Sequence, residues 1–435
     1  MSLDYHVAAG GRLSGTLRVP GDKSISHRAI MLGALAEGAT TVSGFLEGED
    51  ALATMNIFRA LGVKIAGPDA GRVTVHGVGL KGLRAPRGPL DCGNSGTSMR
   101  LLCGLLAGQG FDAELIGDAS LMQRPMGRVA EPLRRMGARI TTGEGGRPPV
   151  RIQGGARLAG IATDLPVASA QVKSALLLAG LYAQGRTCVT EPAPTRDHTE
   201  RMLQAFGYSA RREGATACVE GGGTLRGTAI AVPADISSAA FFLVGASIAP
   251  GSDLLLQDVG INPTRTGVIE ILRLMGADIE ILNPRQAGGE PVADLRVRHA
   301  SLRGIRIPLA LVPLAIDEFP ALFVAAAQAQ GETVLTGAEE LRVKESDRIQ
   351  VMAEGLQALG VDARPTADGM VIRGGAMRGG TVNSHGDHRV AMAFAMAALR
   401  AAGPVVIRDC ANVATSFPGF PELSAAAGLA ISVTP

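Results

Sequence analysis

The chain has 435 residues, a length that suits two domains of about 200 residues each better than one core. Apolar residues make up 46% of it, and the formal net charge is only +2. General binders of nucleic acids or membrane surfaces usually carry a clear basic excess, so both classes are disfavoured. The first residues lack a basic or apolar leader, and the apolar window 239–249 is far shorter than the roughly 18–20 residues that span a bilayer. We therefore expect a soluble, cytoplasmic protein.

The predicted elements, taken in chain order, repeat six times. Each copy starts with L-x-G or a near relative, continues with an apolar helix that ends at A-x-G, and then has a β-rich stretch. A second helix, ended by glycine, and two alternating strands complete it. In the first copy the first helix is predicted over 26–37, with Ser24 or Ser26 as its cap. The glycines that close the three signals are, in order, Gly15, Gly82, Gly160, Gly227, Gly304 and Gly379; Gly38, Gly108, Gly185, Gly251, Gly331 and Gly403; and Gly62, Gly137, Gly207, Gly276, Gly360 and Gly428.

The sixth copy is cut short, because the chain stops just after 429–433 without the final strands of the repeat. The segment 5–20 has strand character, so we expect the N-terminal strands to complete this copy. This arrangement predicts a discontinuous domain of three repeats, 1–20 with 233–435, and an inserted domain of three repeats, 21–232. We expect the active site in the cleft between the domains, where ligand sites are common.

Charged and polar residues interrupt the repeat at two slots, each just before a helix. Helix N-termini favour phosphate and carboxylate groups, so cations at these slots predict sites for more than one anion. Gly96 would let backbone approach a ligand, and Asp317 and Glu345 could transfer protons. The structural alternative is that these residues are helix caps and surface charges, but equivalent slots of a repeat favour a functional role. The cations are Lys23, Arg28, Arg124, Arg196, Lys344, Arg348 and Arg389.

The cysteines and the missing cofactor motifs narrow the chemistry. Five cysteines form no CxxC pair and are odd in number, which predicts reduced, mostly packed thiols. No spacing of histidine, cysteine and carboxylate residues suggests a metal site, and no GxGxxG follows a strand. We expect neither a metal nor an organic cofactor. The cysteines are Cys92, Cys103, Cys188, Cys218 and Cys410.

Eight specific motifs run along the whole chain, and with them the sequence resembles the 5-enolpyruvylshikimate-3-phosphate synthase family. The resemblance implies an α/β (α+β) fold with two similar domains of three βαβαββ units, each like an inside-out α/β barrel. It also implies transfer of the enolpyruvyl group of phosphoenolpyruvate to the 5-hydroxyl of shikimate 3-phosphate, with no cofactor. The motifs are PGDKSISHR (20–28), GNSGTSMR (93–100), RPMGR (124–128), SAQ (169–171), DEFP (317–320), RVKESDR (342–348), GDHRVAM (386–392) and SFP (416–418).

The same resemblance implies roles for single residues. The residues that would bind phosphoenolpyruvate are Lys23, Asn94, Gly96, Arg124, Gln171, Arg348, His388 and Arg389. Those that would bind shikimate 3-phosphate are Ser24, Arg28, Ser169, Ala170, Gln171, Arg196, Asp317 and Lys344. Asp317 and Glu345 would transfer protons, and Lys23 also has a claim to acid–base work.

Details of the motifs resemble the class II bacterial subclass, which includes glyphosate-tolerant enzymes. Ala170 stands where many relatives have a second serine, Thr415 replaces a common lysine, and TRDHTE occupies 195–200. Some tolerant members have alanine where this chain has Gly96, so the resemblance leaves the response to glyphosate open. We expect the protein to be a monomer. We also expect glyphosate to inhibit it.

Two alternatives are less well supported. A UDP-N-acetylglucosamine enolpyruvyl transferase shares the architecture but usually has a cysteine in the loop that corresponds to 117–128, which here has none. A non-enzymatic repeat protein that binds polyanions such as RNA would need a dispersed basic face, which the near-neutral charge disfavours.

Overall fold

The computed structural model describes residues 3–435, which divide into two compact units. Unit 1 consists of the described residues up to Pro20, Pro233–Gln286 and Glu290–Pro435, and unit 2 of Gly21–Val232 and Ala287–Gly289. Each unit has one large cluster of buried apolar side chains of its own. No helix within the described range is both long and apolar enough to span a membrane.

Helices and strands alternate along the described chain. The α-helices are α1 (Lys23–Leu35), α2 (Glu49–Ala60), α3 (Gly96–Ala107), α4 (Gly127–Arg135), α5 (Ala170–Gly180), α6 (His198–Ala205), α7 (Ile236–Ile248), α8 (Gly267–Leu274), α9 (Phe319–Ala327), α10 (Arg348–Ala358), α11 (His388–Ala397) and α12 (Phe420–Ala427). The strands are β1 (Asp4–Val7), β2 (Ser14–Leu17), β3 (Glu37–Ser43), β4 (Lys64–Asp69), β5 (Arg72–Val78), β6 (Leu90–Asp91), β7 (Ala113–Ile116), β8 (Arg139–Thr142), β9 (Val150–Gln153), β10 (Ala162–Asp164), β11 (Arg186–Thr190), β12 (Ala210–Glu213), β13 (Thr216–Glu220), β14 (Ala229–Ala231), β15 (Asp253–Gly260), β16 (Asp278–Ala287), β17 (Glu290–Arg298), β18 (Glu332–Leu335), β19 (Asp362–Pro365), β20 (Met370–Arg373), β21 (Gly380–Asn383), β22 (Val405–Arg408) and β23 (Ile431–Thr434). Short 3₁₀ helices lie at Leu121–Gln123, Glu144–Gly146, Leu309–Leu311, Glu339–Val343, Ala398–Arg400 and Ala411–Thr415.

Each repeat forms one small mixed sheet, in which the strand after L-x-G lies parallel to its neighbour and the others are antiparallel. In unit 2 the strand orders are β14-β3-β5-β4, β6-β7-β9-β8 and β10-β11-β13-β12. In unit 1 they are β21-β22-β1-β23, β16-β17-β15-β2 and β18-β20-β19. The last sheet has a parallel bridge between Arg306 and Val334 in place of its fourth strand. The predicted α/β fold with its repeats is therefore confirmed.

The two N-terminal strands join different sheets. As predicted, β1 completes the last repeat, because it pairs antiparallel with both β22 and β23. The expectation that both strands complete that repeat is wrong for β2, which pairs in parallel with β15. The reason lies in the L-x-G at Gly15: a strand with this signal supplies the parallel edge of a sheet. β2 supplies it to β15 of the fourth copy, and β14 supplies it to β3 of the first copy.

The first helix of each repeat lies inside its unit and the sheets lie outside. α7 is buried over its whole length, and α1 is buried from Ile25 onward. α3 and α5 pack so closely that a Cβ on Gly104 would lie 1.9 Å from the carbonyl oxygen of Ala175. Strand burial alternates, with one face on the core. This arrangement agrees with the inside-out barrel that the resemblance implied.

Helix α1 starts three residues earlier than predicted, and its cap is Asp22 rather than Ser24 or Ser26. The Asp22 carboxylate accepts a hydrogen bond from the N–H of Ile25 at 2.8 Å. Ser26 is turned inward, where its hydroxyl accepts from the N–H of Leu46. Aspartate caps helices as well as serine does, so the local sequence did not discriminate between them.

The cysteine prediction is wrong for one pair, because Cys188 and Cys218 form a disulfide. They lie directly opposite each other on the antiparallel strands β11 and β13, with Cα atoms 4.2 Å apart. Thirty residues separate them in sequence, so their spacing gave no signal. The other three, Cys92, Cys103 and Cys410, are buried free thiols, and burial raises the pKa of each.

Candidate functional site

In unit 2 the starts of α1 and α2 bring together one residue from each of the two polar slots of the first repeat. Lys23 is the first residue of α1, and its Nζ lies 3.0 Å from Oδ2 of Asp50 in the first turn of α2. The lysine side chain is still partly exposed, whereas Asp50 is buried. A buried carboxylate therefore fixes a cation at the positive end of a helix, which is a suitable place for an anionic ligand.

The start of α3, the first helix of the second repeat, places two guanidinium groups around Gly96. Arg124 donates from Nη2 to Oδ1 of Asn94 at 3.0 Å, and the Asn94 amide donates to Asp118 at 2.7 Å. A Cβ on Gly96 would lie 2.8 Å from Nη1 of Arg100 and 3.2 Å from Nη1 of Arg124. The absence of a side chain at Gly96 is therefore what lets both arginines approach this turn.

Arg100 is a residue that the sequence-based list of site residues missed. Its Nη1 donates to Oε1 of Gln171 at 2.6 Å, and the Gln171 amide donates to Thr97 at 2.9 Å. Arg100 thus connects the predicted residues Gly96 and Gln171. The signal was available, because Arg100 closes the GNSGTSMR motif and lies one helical turn after Gly96, on the same face of α3.

The start of α5, the first helix of the third repeat, carries Ser169, Ala170 and Gln171. Ser169 caps α5, since its hydroxyl accepts from the N–H of Val172 at 3.3 Å. Ala170 is the first residue of the helix and is partly exposed. Arg196, also partly exposed, stands in the segment that leads into α6.

Arg28 lies deeper than the other predicted cations of unit 2. It is buried in α1, and its Nε donates to Thr199 at 2.7 Å and its Nη2 to Ser174 at 2.8 Å. Its Nη1 donates to the carbonyl oxygen of Ser24 at 2.9 Å. Hydroxyl groups therefore orient this guanidinium without cancelling its charge through those contacts.

A buried histidine supports the helix starts of unit 2. His27 Nδ1 lies 2.8 Å from the hydroxyl of Thr54, and Nε2 lies 3.4 Å from the hydroxyl of Ser95, the cap of α3. Burial, followed by the charges of Lys23 and Arg28, lowers the pKa of His27 to about 3. A neutral imidazole has one donor and one acceptor nitrogen, which suits two hydroxyl partners.

In unit 1 the predicted carboxylates lie among cations. Oδ1 of Asp317 is 3.2 Å from Nζ of Lys344 and 3.3 Å from Nη1 of Arg348. Arg348 Nη2 contacts Glu345 at 2.5 Å. Asp317 and Glu345 are only partly buried, so both carboxylates remain accessible from solvent.

Arg348 is more deeply buried than the sequence suggested. Besides Asp317 and Glu345 it contacts Asp387, which caps α11, at 2.8 Å between Nε and Oδ2. Burial by itself lowers the pKa of Arg348, but the three carboxylates, of which Asp387 has the largest effect, outweigh it and raise that pKa. Asp387 belongs to the GDHRVAM motif (386–392) but was not among the predicted site residues.

The start of α11 brings the last two predicted residues to this group. Arg389 Nη1 donates to the backbone oxygen of Asp317 at 3.1 Å, and the Arg389 N–H donates to the Asp387 carboxylate at 2.9 Å. His388 is the first residue of α11 and is buried. Unit 1 thus holds three cations and two accessible carboxylates in one cluster, which can bind an anion and move a proton. Within residues 3–435 no group of three or more histidine, cysteine, aspartate or glutamate side chains is suited to a metal ion.

Comparisons with known proteins show the family to which the chain belongs. The family model described as EPSP synthase (3-phosphoshikimate 1-carboxyvinyltransferase) matches residues 7–423. The chain is 71% identical to 3-phosphoshikimate 1-carboxyvinyltransferase of Methylococcus capsulatus over 430 residues, covering 99% of this chain and 98% of the relative. It is 72% identical to the protein of the same name from Alkalilimnicola ehrlichii over 431 residues, covering 99% and 97%. A crystal structure of EPSP synthase from Acinetobacter baumannii superimposes with a TM-score of 0.89 at 60% identity, covering 100% of both chains. The chain therefore belongs to the EPSP synthase family.

Proposed function

We propose that this chain, a 3-phosphoshikimate 1-carboxyvinyltransferase (EC 2.5.1.19) of chorismate and aromatic amino acid biosynthesis, uses the helix-start residues of both units to bind its two substrates. The substrates are shikimate 3-phosphate and phosphoenolpyruvate. Both are anionic and repel each other, so converging cations are needed before the reactants can approach. Holding two reactants in register can contribute on the order of 7–11 kcal/mol to the rate acceleration.

The unit 2 residues would bind mainly the phosphate-bearing ring and one end of phosphoenolpyruvate. We assign shikimate 3-phosphate to the groups around α1, α5 and α6, and phosphoenolpyruvate to those around Gly96. The support is the cationic, hydroxyl-rich character of the first set and the two guanidinium groups at the second. The first set is Ser24, Arg28, Ser169, Ala170, Gln171 and Arg196, and the second is Lys23, Asn94, Gly96, Gln171 and Arg124.

The unit 1 residues would complete phosphoenolpyruvate binding and supply the proton-transfer groups. We assign Arg348, His388 and Arg389 to phosphoenolpyruvate, and Lys344 and Asp317 to shikimate 3-phosphate. Since Glu345 and Asp317 already contact the Nη atoms of Arg348, a substrate carboxylate that takes two N–H donors of this guanidinium would displace one of them. The displaced carboxylate would then be released for proton transfer at the moment when substrate is present.

The reaction is an addition followed by an elimination. The 5-hydroxyl oxygen of shikimate 3-phosphate bonds to C2 of phosphoenolpyruvate and loses its proton, while C3 gains a proton and becomes a methyl group. The tetrahedral intermediate then loses inorganic phosphate, and removal of a C3 proton restores the double bond. We assign the proton transfers to Asp317 and Glu345, with Lys23 as a further acid–base candidate.

The observation that carries the residue assignment is the contact of both carboxylates with Arg348 in one partly exposed cluster. The direct experiment follows phosphate release when the protein is mixed with shikimate 3-phosphate and phosphoenolpyruvate. UDP-N-acetylglucosamine replaces shikimate 3-phosphate in a parallel reaction. Turnover only with UDP-N-acetylglucosamine would contradict the proposed reaction. Turnover only with shikimate 3-phosphate supports it.

Three finer properties belong to the same proposal. We assign the chain to the class II bacterial subclass on the strength of Ala170, Thr415 and the TRDHTE segment. We propose that it acts as a monomer in the cytoplasm, which light scattering and cell fractionation would test. We also propose that glyphosate competes with phosphoenolpyruvate at the group around Gly96.

A further inference from the structure

Lys173 has the most completely buried ammonium group among the described residues that form unit 2. It lies in α5, two residues after Gln171, with 0% of its side chain exposed. Its Nζ contacts Glu191 at 2.9 Å and Glu200 at 2.8 Å, and both of those carboxylates are buried. A charged cluster of this kind is costly to desolvate, so its presence beside the substrate groups requires an explanation.

The two glutamates stand at the ends of the segment that carries Arg196. Glu191 follows β11 directly, and Glu200 lies in the first turn of α6. Between them, the hydroxyl of Thr195 donates to the Glu191 carboxylate. Lys173 therefore fixes both ends of the segment 191–200, which contains TRDHTE, to helix α5.

A second pair of contacts joins the same two helices and reaches Arg28. Ser174 follows Lys173 in α5, and Thr199 precedes Glu200 in α6. The Thr199 hydroxyl donates to the Ser174 hydroxyl at 2.7 Å, and Arg28 donates to both. The ionic contact and the hydroxyl contact between α5 and α6 are thus adjacent, and displacing one displaces the other.

The charges of the cluster balance. Lys173 lies between the two glutamates, and Arg212 approaches them at 3.7 Å and 4.0 Å. Without Lys173, two buried carboxylates would face each other with one partly exposed arginine as a shared partner. Carboxylates in that condition attract nearby cations, and Arg28, whose Nε donates to Thr199 beside Glu200, is one of them.

We propose that Lys173 is a positioning residue for shikimate 3-phosphate. It fixes the segment that carries Arg196, and it neutralises Glu191 and Glu200 so that these carboxylates do not compete with the substrate phosphate for Arg28. The inference rests on the proposed roles of these two arginines. It also gives a reason for the joint presence of SAQVKS and TRDHTE, since one motif supplies the lysine and the other supplies Glu200 and Thr199.

The test is Lys173→Met, which keeps the length of the side chain and removes the charge. We expect the KM for shikimate 3-phosphate to rise about tenfold or more, with the KM for phosphoenolpyruvate within about twofold of its original value. Binding of shikimate, which lacks the phosphate, should change little. If the methionine variant fails to fold, Lys173→Gln, whose amide can still donate to one carboxylate, takes its place with the same expectation.

Rescue and control variants separate this role from simple packing. Lys173→Arg keeps the charge and should hold the KM for shikimate 3-phosphate within about threefold of the original value. Lys64→Met makes the same change at an exposed lysine of the same unit and should have no effect. Equal rises in both KM values, or an arginine variant as impaired as the methionine variant, would overturn the proposal.

A parallel measurement on Arg196→Ala and Arg28→Ala tells this inference apart from the assignment on which it rests. If neither variant changes the KM for shikimate 3-phosphate, the assignment of the arginines is wrong. If both raise it while Lys173→Met does not, the arginines bind the substrate and only the role of Lys173 is refuted.

Discussion

Nε of Arg348 lies 2.8 Å from Oδ2 of Asp387, and the two side chains are 1% and 0% exposed. Asp387 also accepts from Ser346 and from the N–H of Arg389, so one carboxylate joins the starts of α10 and α11. This contact holds the cationic side of the unit 1 cluster in place. It also makes that cluster sensitive to changes that do not touch a substrate.

Asp387→Asn should therefore reduce stability as well as activity. Asparagine still caps a helix, so the variant removes the charge and keeps the cap. Because loss of one partner of a buried ion pair costs about 3–5 kcal/mol, and Arg348 keeps two other carboxylates, we expect a loss of about 3 kcal/mol in urea unfolding. Asp362→Asn, at an exposed aspartate paired with Arg364, should cost less than about 0.5 kcal/mol. Equal losses in the two variants would refute this account of the pair.

The two accessible carboxylates of unit 1 should control turnover. Glu345→Gln and Asp317→Asn keep the shape of each side chain and remove its ability to transfer protons. We expect kcat to fall by roughly 10²–10⁴ with modest changes in either KM, measured by phosphate release. Glu354→Gln, on the exposed face of α10, is the matched control and should retain full activity. Near-normal turnover in both site variants would remove these residues from the chemistry.

The space at Gly96 should decide how the enzyme responds to glyphosate, which resembles phosphoenolpyruvate but is longer. In Gly96→Ala the new methyl group would lie 2.8 Å from Arg100 and 3.2 Å from Arg124, so both guanidinium groups must shift. We expect competitive inhibition of the parent enzyme. In the variant we expect a few-fold rise in the KM for phosphoenolpyruvate and a far larger rise in the Ki for glyphosate.

Gly88→Ala is the control for that experiment, because a Cβ there meets no atom within 4 Å. It should leave both constants unchanged. A parent enzyme that is already insensitive to millimolar glyphosate would show that Gly96 does not decide the response in this chain.

His27 should make the stability of the protein depend on pH below neutrality. Its pKa falls from an ordinary 6.5 to about 3 on folding, so between these values the unfolded chain binds one proton more than the folded chain. The contribution of His27 is complete above pH 6.5 and is lost as the pH falls, at about 1.4 kcal/mol per pH unit. In His27→Gln this dependence should disappear, so the two unfolding free energies should converge between pH 6 and 4. Parallel pH profiles would contradict the assignment.

The architecture could be predicted from the sequence because the same order of glycine signals, helices and strands recurs six times. A glycine signal at the same place in each copy indicates a helix end or a turn whatever its neighbours are, and the sheets follow from the strands between these signals. The pairing of β2 with β15 was not predicted, because two adjacent strands of similar sequence can join different sheets. That choice depends on the partner β15, more than 230 residues away in the chain.

For the candidate site, the sequence allowed the cations and carboxylates to be named. It did not show which side chains hold them in place. Lys23, Arg124 and Arg348 stand in recognisable motifs, whereas two buried partners, Asp50 of Lys23 and Asp387 of Arg348, act on them from other helix starts. Burial, which gives these partners their importance, is a property of the folded chain. Likewise, the pairing of Cys188 with Cys218 depends on the register of two strands, which residue spacing does not reveal.

The position of β1 between β22 and β23 has a consequence for synthesis of the chain. The ribosome makes β1 before unit 2, and it makes the two neighbours of β1 in the sheet, β22 and β23, after unit 2. The continuous part of unit 2, 21–232, is therefore available for folding while unit 1 still lacks most of its chain. During that interval β1 has no sheet to join, and its unpaired edges remain open to other chains. β1 is thus made long before the two strands that complete its native hydrogen bonds.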